Sequence, residues 1–195
     1  MERGTARMEA YIPAIVAAVV VGLPFLWAIA AYNRFIRLRN HCDEAWSNIQ
    51  TELKRRYNLI PNLVNTVKGY AAHERQLLTE LAQAREACVQ DEGTPAHQAA
   101  TETQMVRRLG AVLARVENYP ELKADKNFLA LQQELSITED RIQAARRFYN
   151  ANVRANNNKV QSFPTNLIAK AFKFPLRDFF EVDDARHLAT PQVKL

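Results

Sequence analysis

Side chains that could catalyse a reaction or hold a metal ion are few and scattered in this sequence of 195 residues. None of its four histidines belongs to an HExxH or ExxH motif, the spacings with which helices bind zinc and iron; they are His41, His73, His97 and His187. The nearest approach is Asp184, three residues before His187. Cys42 and Cys88 occupy apolar helical positions without a CxxC pair, so we expect two free, buried thiols.

Phosphate-binding glycine loops, nucleophile elbows and dinucleotide-binding fingerprints do not occur in the sequence either. Glu134, Glu139 and Asp140 fall in a long predicted helix, where neighbouring arginines provide ion-pair partners. We therefore predict a protein that is not an enzyme, with no catalytic residue, no metal ion and no cofactor. The enzymatic alternative is a membrane-anchored hydrolase or metal enzyme, and a stoichiometric metal in the purified protein would favour it.

The densest cluster of basic charge lies in Leu53–Tyr70, where Lys54, Arg55 and Arg56 precede Pro61. Apolar residues recur there at steps of three and four, which predicts a helix whose apolar stripe excludes the three basic residues. Pro61 lacks an N–H group, which costs about 3 kcal/mol inside a helix, so the helix either bends or restarts there. We expect the basic residues to face lipid head groups or a neighbouring subunit, with a solvated helix face as the alternative.

The segment Ala10–Tyr32 contains 23 residues and no charge. A bilayer core about 30 Å thick needs roughly 20 apolar residues in a helix, so this length fits a membrane span. Tyr11, Trp27 and Tyr32 lie near the ends of the segment, where aromatic rings favour the membrane interface. A cleaved signal peptide is the alternative, but the apolar run is long for one. We predict an uncleaved transmembrane helix.

Basic residues on both sides of this segment bear on its orientation. Arg34, Arg37 and Arg39 follow it, and Arg3 and Arg7 precede it. The larger number of arginines after the segment weakly favours a single-pass protein of the cytoplasmic membrane whose C-terminal part is cytoplasmic. Translation from the second methionine would remove both preceding arginines and make the bias firm.

The overall composition favours helices. Apolar residues make up 48% and charged residues 24% of the chain, and glycine occurs only five times. The net charge of +5 fits an anionic membrane surface. The basic cluster lacks the aromatic platform with which proteins bind single-stranded nucleic acid, so we expect no nucleic-acid partner.

Apolar residues at helical spacing continue beyond the predicted span. No glycine or proline lies in residues 33–60, so the span is expected to run directly into the first soluble helix. After Pro61 the stripe resumes through Cys88 and stops at turn residues 91–95. A helix over about residues 95–118 follows, and then one of roughly 35 residues that begins after Asp125, a candidate N-cap, and ends before Pro164.

These segments predict an all-α fold: an N-terminal transmembrane helix, an antiparallel bundle of about four long helices, and a short C-terminal helix with an extended tail. The expected limits are residues 1–9 for an N-terminal tail, 10–32 for the transmembrane helix, 33–162 for the bundle, and 163–195 for the amphipathic helix and aromatic tail.

Aromatic and amide side chains mark the C-terminal part of the chain. Its phenylalanines include Phe172, Phe174, Phe179 and Phe180. They either pack on the bundle or, with the basic residues Lys170, Lys173 and Arg177, contact lipid or another subunit. The amides Asn150, Asn152 and Asn156 lie on the last long helix, where such groups can cross-link helices and set their register.

Four motifs occur together in the chain: Leu53-Lys54-Arg55-Arg56-Tyr57, Leu59-Ile60-Pro61-Asn62-Leu63-Val64, Ala145-Arg146-Arg147-Phe148-Tyr149-Asn150 and the closing Phe179-Phe180-Glu181. In this combination the sequence resembles the LemA family of bacterial membrane proteins. The resemblance extends from about Tyr32 almost to the end of the chain, with a divergent region at residues 96–115.

The resemblance implies an N-terminal anchor and an antiparallel bundle of four long helices. It does not imply an enzymatic activity, and one branch of the family acts in shaping magnetosome membranes. We therefore hypothesise a membrane-anchored helical scaffold that self-assembles as a homo-oligomer and organises or shapes the bacterial membrane. The alternative is an adaptor or envelope-stress protein that binds other membrane proteins through its bundle. The candidate membrane and assembly residues are Lys54, Arg55, Arg56, Pro61, Phe172, Phe174, Phe179 and Phe180.

Overall fold

The computed structural model describes the backbone of residues 2–182 and the side chains of residues 19–71 and 73–182. Within these residues the chain is all-helical and contains no strand, which confirms the predicted fold class. The helices are α1 (Glu2–Tyr70), α2 (Arg75–Val89), α3 (Pro95–Val116), α4 (Pro120–Lys123), α5 (Lys126–Gln161) and α6 (Thr165–Ala171). The predicted end of the tail, from residue 183 onward, lies outside the described residues.

Helix α1 runs for 69 residues and carries Pro61 in its interior. The apolar segment and the first bundle helix are thus one continuous helix, as the absence of a breaker between them predicts. The alternative in which a new helix begins at Pro61 is wrong. Helix α1 also includes residues 2–9, which the sequence suggested as a separate tail.

A break separates α1 from α2, although the apolar stripe suggests continuity as far as Cys88. Ala71 leaves helical geometry, with φ −120° and ψ 59°, and a short 3-10 helix, Ala72–Glu74, follows. The Ala71 N–H still bonds the Val67 carbonyl at 2.9 Å, and the Glu74 N–H bonds the Ala71 carbonyl at 3.0 Å. The backbone therefore stays paired at the break, although Ala71 and Ala72 are themselves neither glycine nor proline.

The chain divides into two compact units. The N-terminal unit comprises the chain up to His41 together with Arg154–Arg177, and the bundle unit comprises Cys42–Val153 together with the chain from Asp178 onward. The predicted domain limits follow membrane and motif patterns rather than compactness, and they stay predictions.

The bundle unit buries two clusters of apolar side chains. The first joins α1 to α2, α3 and α5; it includes Ile60, Leu63, Leu81, Met105, Val112 and Phe128. The second joins α1 to α5 and the tail; it includes Ala45, Ile49, Leu53, Tyr149, Val153 and Phe180. Burying one such large apolar side chain contributes roughly 1.5–3 kcal/mol. Cys42 and Cys88 are buried thiols that form no disulfide, as predicted.

Polar residues define the starts of two bundle helices. Thr94 is the N-cap of α3, where its hydroxyl accepts a bond from the His97 N–H at 3.4 Å, and Pro95 follows in the first turn. The Asp125 carboxylate accepts a 2.9 Å bond from the Phe128 N–H at the start of α5, which confirms its predicted capping role. Helix α5 is 36 residues long, close to the predicted length.

In the N-terminal unit, α1 packs against the segment that follows α6. Phe35 is fully buried, and its ring stacks on that of Phe174 with centroids 4.7 Å apart. The ring of Tyr32 lies 4.8 Å from that of Phe172 and 5.7 Å from that of Phe174. The end of the predicted membrane span is therefore in direct contact with the aromatic segment after α6.

Helix α6 ends in a Schellman motif, a pair of backbone bonds that closes the last turn. The Phe174 N–H bonds the Ala169 carbonyl at 2.9 Å, and the Lys173 N–H bonds the Lys170 carbonyl at 3.4 Å. Lys173 takes the left-handed position with φ 56°, where glycine is usual. This motif fixes the direction in which the chain leaves α6.

Candidate functional site

Arg56, in the middle of the basic motif, is buried, with only 2% of its surface exposed. The prediction that it lies outside the apolar stripe and faces lipid or a subunit is wrong. Arg56 follows Leu53 by three positions and precedes Ile60 by four, and both neighbours are buried. Helical geometry therefore places Arg56 on the same buried face.

Two glutamates pair with the buried guanidinium group. Its Nη1 donates to Glu139 Oε2 of α5 at 2.7 Å, and its Nη2 donates to Glu102 Oε2 of α3. Glu102 is 1% exposed, and its other oxygen accepts a bond from the Tyr57 hydroxyl. Residues of α1, α3 and α5 thus form one charged group in the core, which we call the Arg56 cluster: Arg56, Tyr57, Glu102 and Glu139.

The surroundings of the Arg56 cluster shift the pKa values of Arg56, Tyr57 and the neighbouring Cys88. Burial by itself lowers the pKa of Arg56, but the charges of Glu102 and Glu139 outweigh it and raise this pKa above its ordinary value. Burial, followed by the charge of Glu102, raises the pKa of Tyr57, so its hydroxyl remains a donor. The same two causes raise the pKa of the nearby Cys88 thiol. None of these three groups titrates near neutral pH, as a general acid or base would.

A pattern in the sequence marks this cluster, but it is visible only across several helices. Glu102 lies between Ala99 and Met105 at steps of three, within the buried stripe of α3. One charge on the apolar stripe of α1 and an opposite charge on that of α3 together indicate a buried ion pair. The basic motif by itself, without the sequences of its partner helices, does not indicate that Arg56 is buried.

Pro61 changes the hydrogen bonding of α1 next to the Arg56 cluster. Since proline has no N–H group, the carbonyl of Tyr57, four residues earlier, has no partner within the helix. Arg85 of α2 supplies one, with its Nε donating to the Tyr57 carbonyl oxygen at 3.0 Å. The proline thus provides a backbone acceptor that ties α2 to α1. The predicted bend at Pro61 stays a prediction.

Lys54 and Arg55, in contrast to Arg56, are exposed. Arg55 Nη2 lies 3.4 Å from Glu134 Oε2, and the two side chains are 45% and 47% exposed. An exposed pair of this kind contributes roughly 0–1 kcal/mol. The role of Lys54 and Arg55 in contacts with the membrane or a subunit stays a prediction.

The four candidate phenylalanines of the tail divide between core and surface. Phe180 is fully buried, and its ring meets that of Trp46 edge-on with centroids 5.3 Å apart. Phe179 packs on the same apolar cluster, and Phe174 is half-buried. Phe172 is 57% exposed. Phe180 therefore packs within the bundle unit, and of these four rings Phe172 is the most available to lipid or a subunit.

Two asparagines of α5 hold the extended tail with the same pair of bonds. In the bundle unit, Asn150 Nδ2 donates to the Phe180 carbonyl at 3.1 Å, and Asn150 Oδ1 accepts from the Phe180 N–H at 3.0 Å. In the N-terminal unit, Asn157 pairs likewise with Arg177, at 2.8 and 2.9 Å. These amides satisfy the backbone of an extended segment that has no neighbouring strand. Asn150 thus binds the tail rather than another helix.

His97 lies in the first turn of α3, beside the turn that joins α2 to α3. Its Nδ1 lies 2.9 Å from both carboxylate oxygens of Asp91, which also accept bonds from the Gly93 N–H at 2.9 Å and the Thr101 hydroxyl at 2.6 Å. Burial raises the pKa of Asp91, but these hydrogen bonds outweigh it and lower this pKa. Among residues 19–71 and 73–182, no three His, Cys, Asp or Glu side chains are placed to hold a metal ion. His187 lies outside the described residues.

One helix among the described residues is long and apolar enough to cross a bilayer, and only 11% of its apolar window is buried. Large apolar side chains between Val19 and Ile29 face outward, with Val21 70% and Phe25 66% exposed. An exposed apolar surface of this kind indicates contact with a membrane or another protein. The fold and this segment together define a membrane-associated helical protein.

Comparison with known proteins makes this class more specific. The sequence model of the LemA family matches residues 45–195, and the chain belongs to that family, as its motifs predict. Protein LemA of Metamycoplasma hominis is 28% identical over 152 residues, which cover 78% of this chain and 69% of the relative. Magnetosome protein MamQ 2 of Paramagnetospirillum magneticum is 25% identical over 191 residues, which cover 83% and 70%. Magnetosome protein MamQ of Magnetospirillum gryphiswaldense is 24% identical with the same coverage.

Proposed function

We propose that this protein is a non-enzymatic scaffold, anchored in the bacterial cytoplasmic membrane by one transmembrane helix, that self-assembles and organises or shapes the bilayer. The observation that carries the proposal is the aromatic contact at the end of the exposed apolar part of α1. There Tyr32 meets Phe172 and Phe174. Aromatic side chains favour the membrane interface, so this contact holds the segment after α6 at the head-group level.

A second exposed apolar surface lies in the same unit and supports this placement. Phe163 is 79%, Leu167 57%, Phe172 57% and Leu176 54% exposed. Basic residues, among them Lys170, alternate with these apolar side chains. A short amphipathic element with this composition binds in the interface plane of an anionic bilayer. A span and an interfacial element in one unit would restrict the tilt of the protein in the membrane.

A scaffold can shape a membrane only if the tilt of each copy in the bilayer is restricted. Identical copies that meet at fixed angles form rings when the contact closes and filaments when it does not. The relatives named as magnetosome proteins support a role at a membrane. The Arg56 cluster supports a non-enzymatic role, because its guanidinium group pairs with both carboxylates inside the core instead of lining an open pocket.

Self-assembly can be tested with the full-length protein. Light scattering in mild detergent is expected to show concentration-dependent oligomers, and electron microscopy of protein in vesicles is expected to show arrays or altered curvature. Phe163→Ser removes the most exposed ring and is expected to weaken assembly, whereas Leu129→Ser in the bundle unit is the matched control. A monomer over a wide concentration range, without arrays in lipid, would overturn the proposal.

The adaptor alternative has one observation in its favour. Phe148 on α5 is 55% exposed in the bundle unit, and it provides an apolar contact point for a protein partner. Photo-crosslinking from position 148 in native membranes distinguishes the two functions. Crosslinks between copies of the chain support the scaffold, and crosslinks to a different membrane protein support the adaptor.

A further inference from the structure

The N-terminal unit contains a cavity of about 370 Å³ beside the end of the predicted membrane span. Helix α1, the end of α5 and the segment after α6 form its walls. The lining side chains that matter for binding are Tyr32, Arg39, Phe172, Lys173, Phe174 and Arg177. The volume falls in the range of pockets that hold small organic ligands, roughly 300–1,000 Å³.

The wall of this cavity can hold an anion. Arg39, Lys173 and Arg177 line it, and Lys173 is exposed. Guanidinium groups match the geometry of phosphate oxygens, and an ammonium group adds a compact positive charge. The aromatic rings beside them provide an apolar side. A ligand with a phosphate group at one end and an apolar body at the other fits this combination.

The walls of the cavity are held in place by backbone contacts. Both backbone groups of Arg177 bond the Asn157 amide, and Asn156 Nδ2 donates to the Pro175 carbonyl at 3.3 Å. The Schellman motif fixes Lys173, and stacking on Phe35 fixes Phe174. The basic groups are therefore presented by an ordered segment and do not depend on a ligand to assemble them.

The position of the cavity identifies the source of the phosphate. It opens next to Tyr32, where the apolar segment of α1 ends, and the exposed side chains from Val19 to Ile29 lead away from it along the same helix. We propose that the cavity binds the phosphate-bearing head group of an anionic phospholipid, with its acyl chains along the exposed apolar face of α1. This inference rests on the proposed function, in which that face lies in the bilayer.

Native mass spectrometry of the full-length protein, released from mild detergent containing phosphatidylglycerol and phosphatidylcholine, tests the proposal. The wild-type chain is expected to retain phosphatidylglycerol in preference to phosphatidylcholine. The variant Lys173→Gln is expected to lose about fivefold of this preference, since each basic residue near a lipid head group favours anionic lipid by about that factor.

The matched control is the variant Arg37→Gln. It removes the same charge from an exposed position of the N-terminal unit, outside the cavity. The control is expected to keep the preference for phosphatidylglycerol. An equal loss in both variants would show that overall charge, and not the cavity, selects the lipid, and it would overturn the proposal.

Soluble phosphates separate a lipid site from a site for a free anion. Inorganic phosphate and glycerol 3-phosphate are expected to leave the bound phosphatidylglycerol in place. Complete displacement by either compound would contradict the lipid assignment. Reconstitution into vesicles separates this inference from the proposed function: a chain that inserts but shows no lipid preference contradicts the cavity alone, and a chain that does not insert contradicts both.

Discussion

Two parts of helix α1 reverse the usual distribution of polar and apolar side chains. Between Val19 and Ile29 the helix exposes large apolar side chains, whereas at Arg56 it buries a positive charge. In a soluble protein, both arrangements are unfavourable. The compensation differs: the charge of Arg56 is neutralised by Glu102 and Glu139 of the same chain, and the apolar surface requires contact with something outside it.

The difference indicates what each part of the helix specifies. An apolar surface in lipid tolerates rotation and sliding, because lipid contacts have no preferred partner. A buried ion pair between helices has one correct register, since slipping it would leave a charge unpaired in the core. We interpret the Arg56 cluster as the contact that sets the register of α1 against α3 and α5.

The largest expected effect comes from removing one partner of the buried charge. Arg56→Ala leaves the buried Glu102 carboxylate without its cation, and it is expected to lower the free energy of unfolding by about 3–5 kcal/mol. Thermal unfolding of the full-length protein in detergent, followed by circular dichroism, measures the change. Glu134→Ala breaks the exposed pair with Arg55 and is expected to cost about 1 kcal/mol or less. Equal losses in the two variants would contradict the buried cluster.

A charge placed in the exposed apolar part of α1, between Val19 and Ile29, tests whether this part lies in the bilayer. Val21→Lys is expected to reduce membrane insertion by about 3 kcal/mol, because a lysine in the centre of a bilayer is costly. The readout is the fraction of protein that remains in membranes after an alkaline wash. Asn48→Lys changes an exposed position of the bundle unit in the same helix and is expected to have no effect. Unchanged insertion of the Val21 variant would show that this segment lies outside the bilayer.

The bond between Arg85 and the Tyr57 carbonyl gives an intermediate effect. Arg85→Ala is expected to destabilise the protein by roughly 1–3 kcal/mol, since it leaves a partly buried carbonyl without a partner. In the Pro61→Ala background the loss is expected to be smaller, because the restored backbone N–H bonds the same carbonyl. A double-mutant cycle measures this coupling, and additive effects would contradict the assigned role of Arg85.

Mildly alkaline pH, within about half a unit above the unfolded pKa of Cys88, gives the smallest of the expected changes. Because the pKa of Cys88 is raised in the folded protein, the unfolded chain releases its thiol proton first. Stability is therefore expected to be fully present below the unfolded pKa, about 8.5, and to fall above it by up to about 1.4 kcal/mol per pH unit. Unfolding of wild type and Cys88→Ala between neutral and alkaline pH isolates this contribution. The same alkaline loss in both proteins would show that the thiol is not its source.

Periodicity in the sequence predicted most of the fold. The apolar stripe of α1, the two buried thiols, the Asp125 cap and the length of α5 all agree with the structure, because each depends on neighbours within one helix. The break at Ala71 was missed, since its hydrogen bonds need no special residue. Arg56 was misplaced, because its location depends on Glu102 and Glu139, which lie 46 and 83 residues away in the chain.

The pairings of the tail were beyond sequence reasoning for a related reason. An asparagine in a long helix has many possible partners, and only the path of the tail decides that Asn150 binds the backbone of Phe180. The cavity near Tyr32 likewise arises from segments that are distant in the chain. Patterns within a segment therefore indicate helices well, and they indicate sites poorly when several segments contribute.

The depth of three labelled positions in a bilayer tests the central claim most directly. Single cysteines placed by Val21→Cys, Ala171→Cys and Ala130→Cys carry spin labels in the full-length protein in vesicles; all three positions are exposed, and the native thiols are buried. Accessibility to oxygen and to a polar nickel chelate reports the depth of each label. We predict that position 21 lies in the hydrocarbon core, position 171 at the head groups and position 130 in water. Equal exposure of all three to the polar reagent would contradict the account.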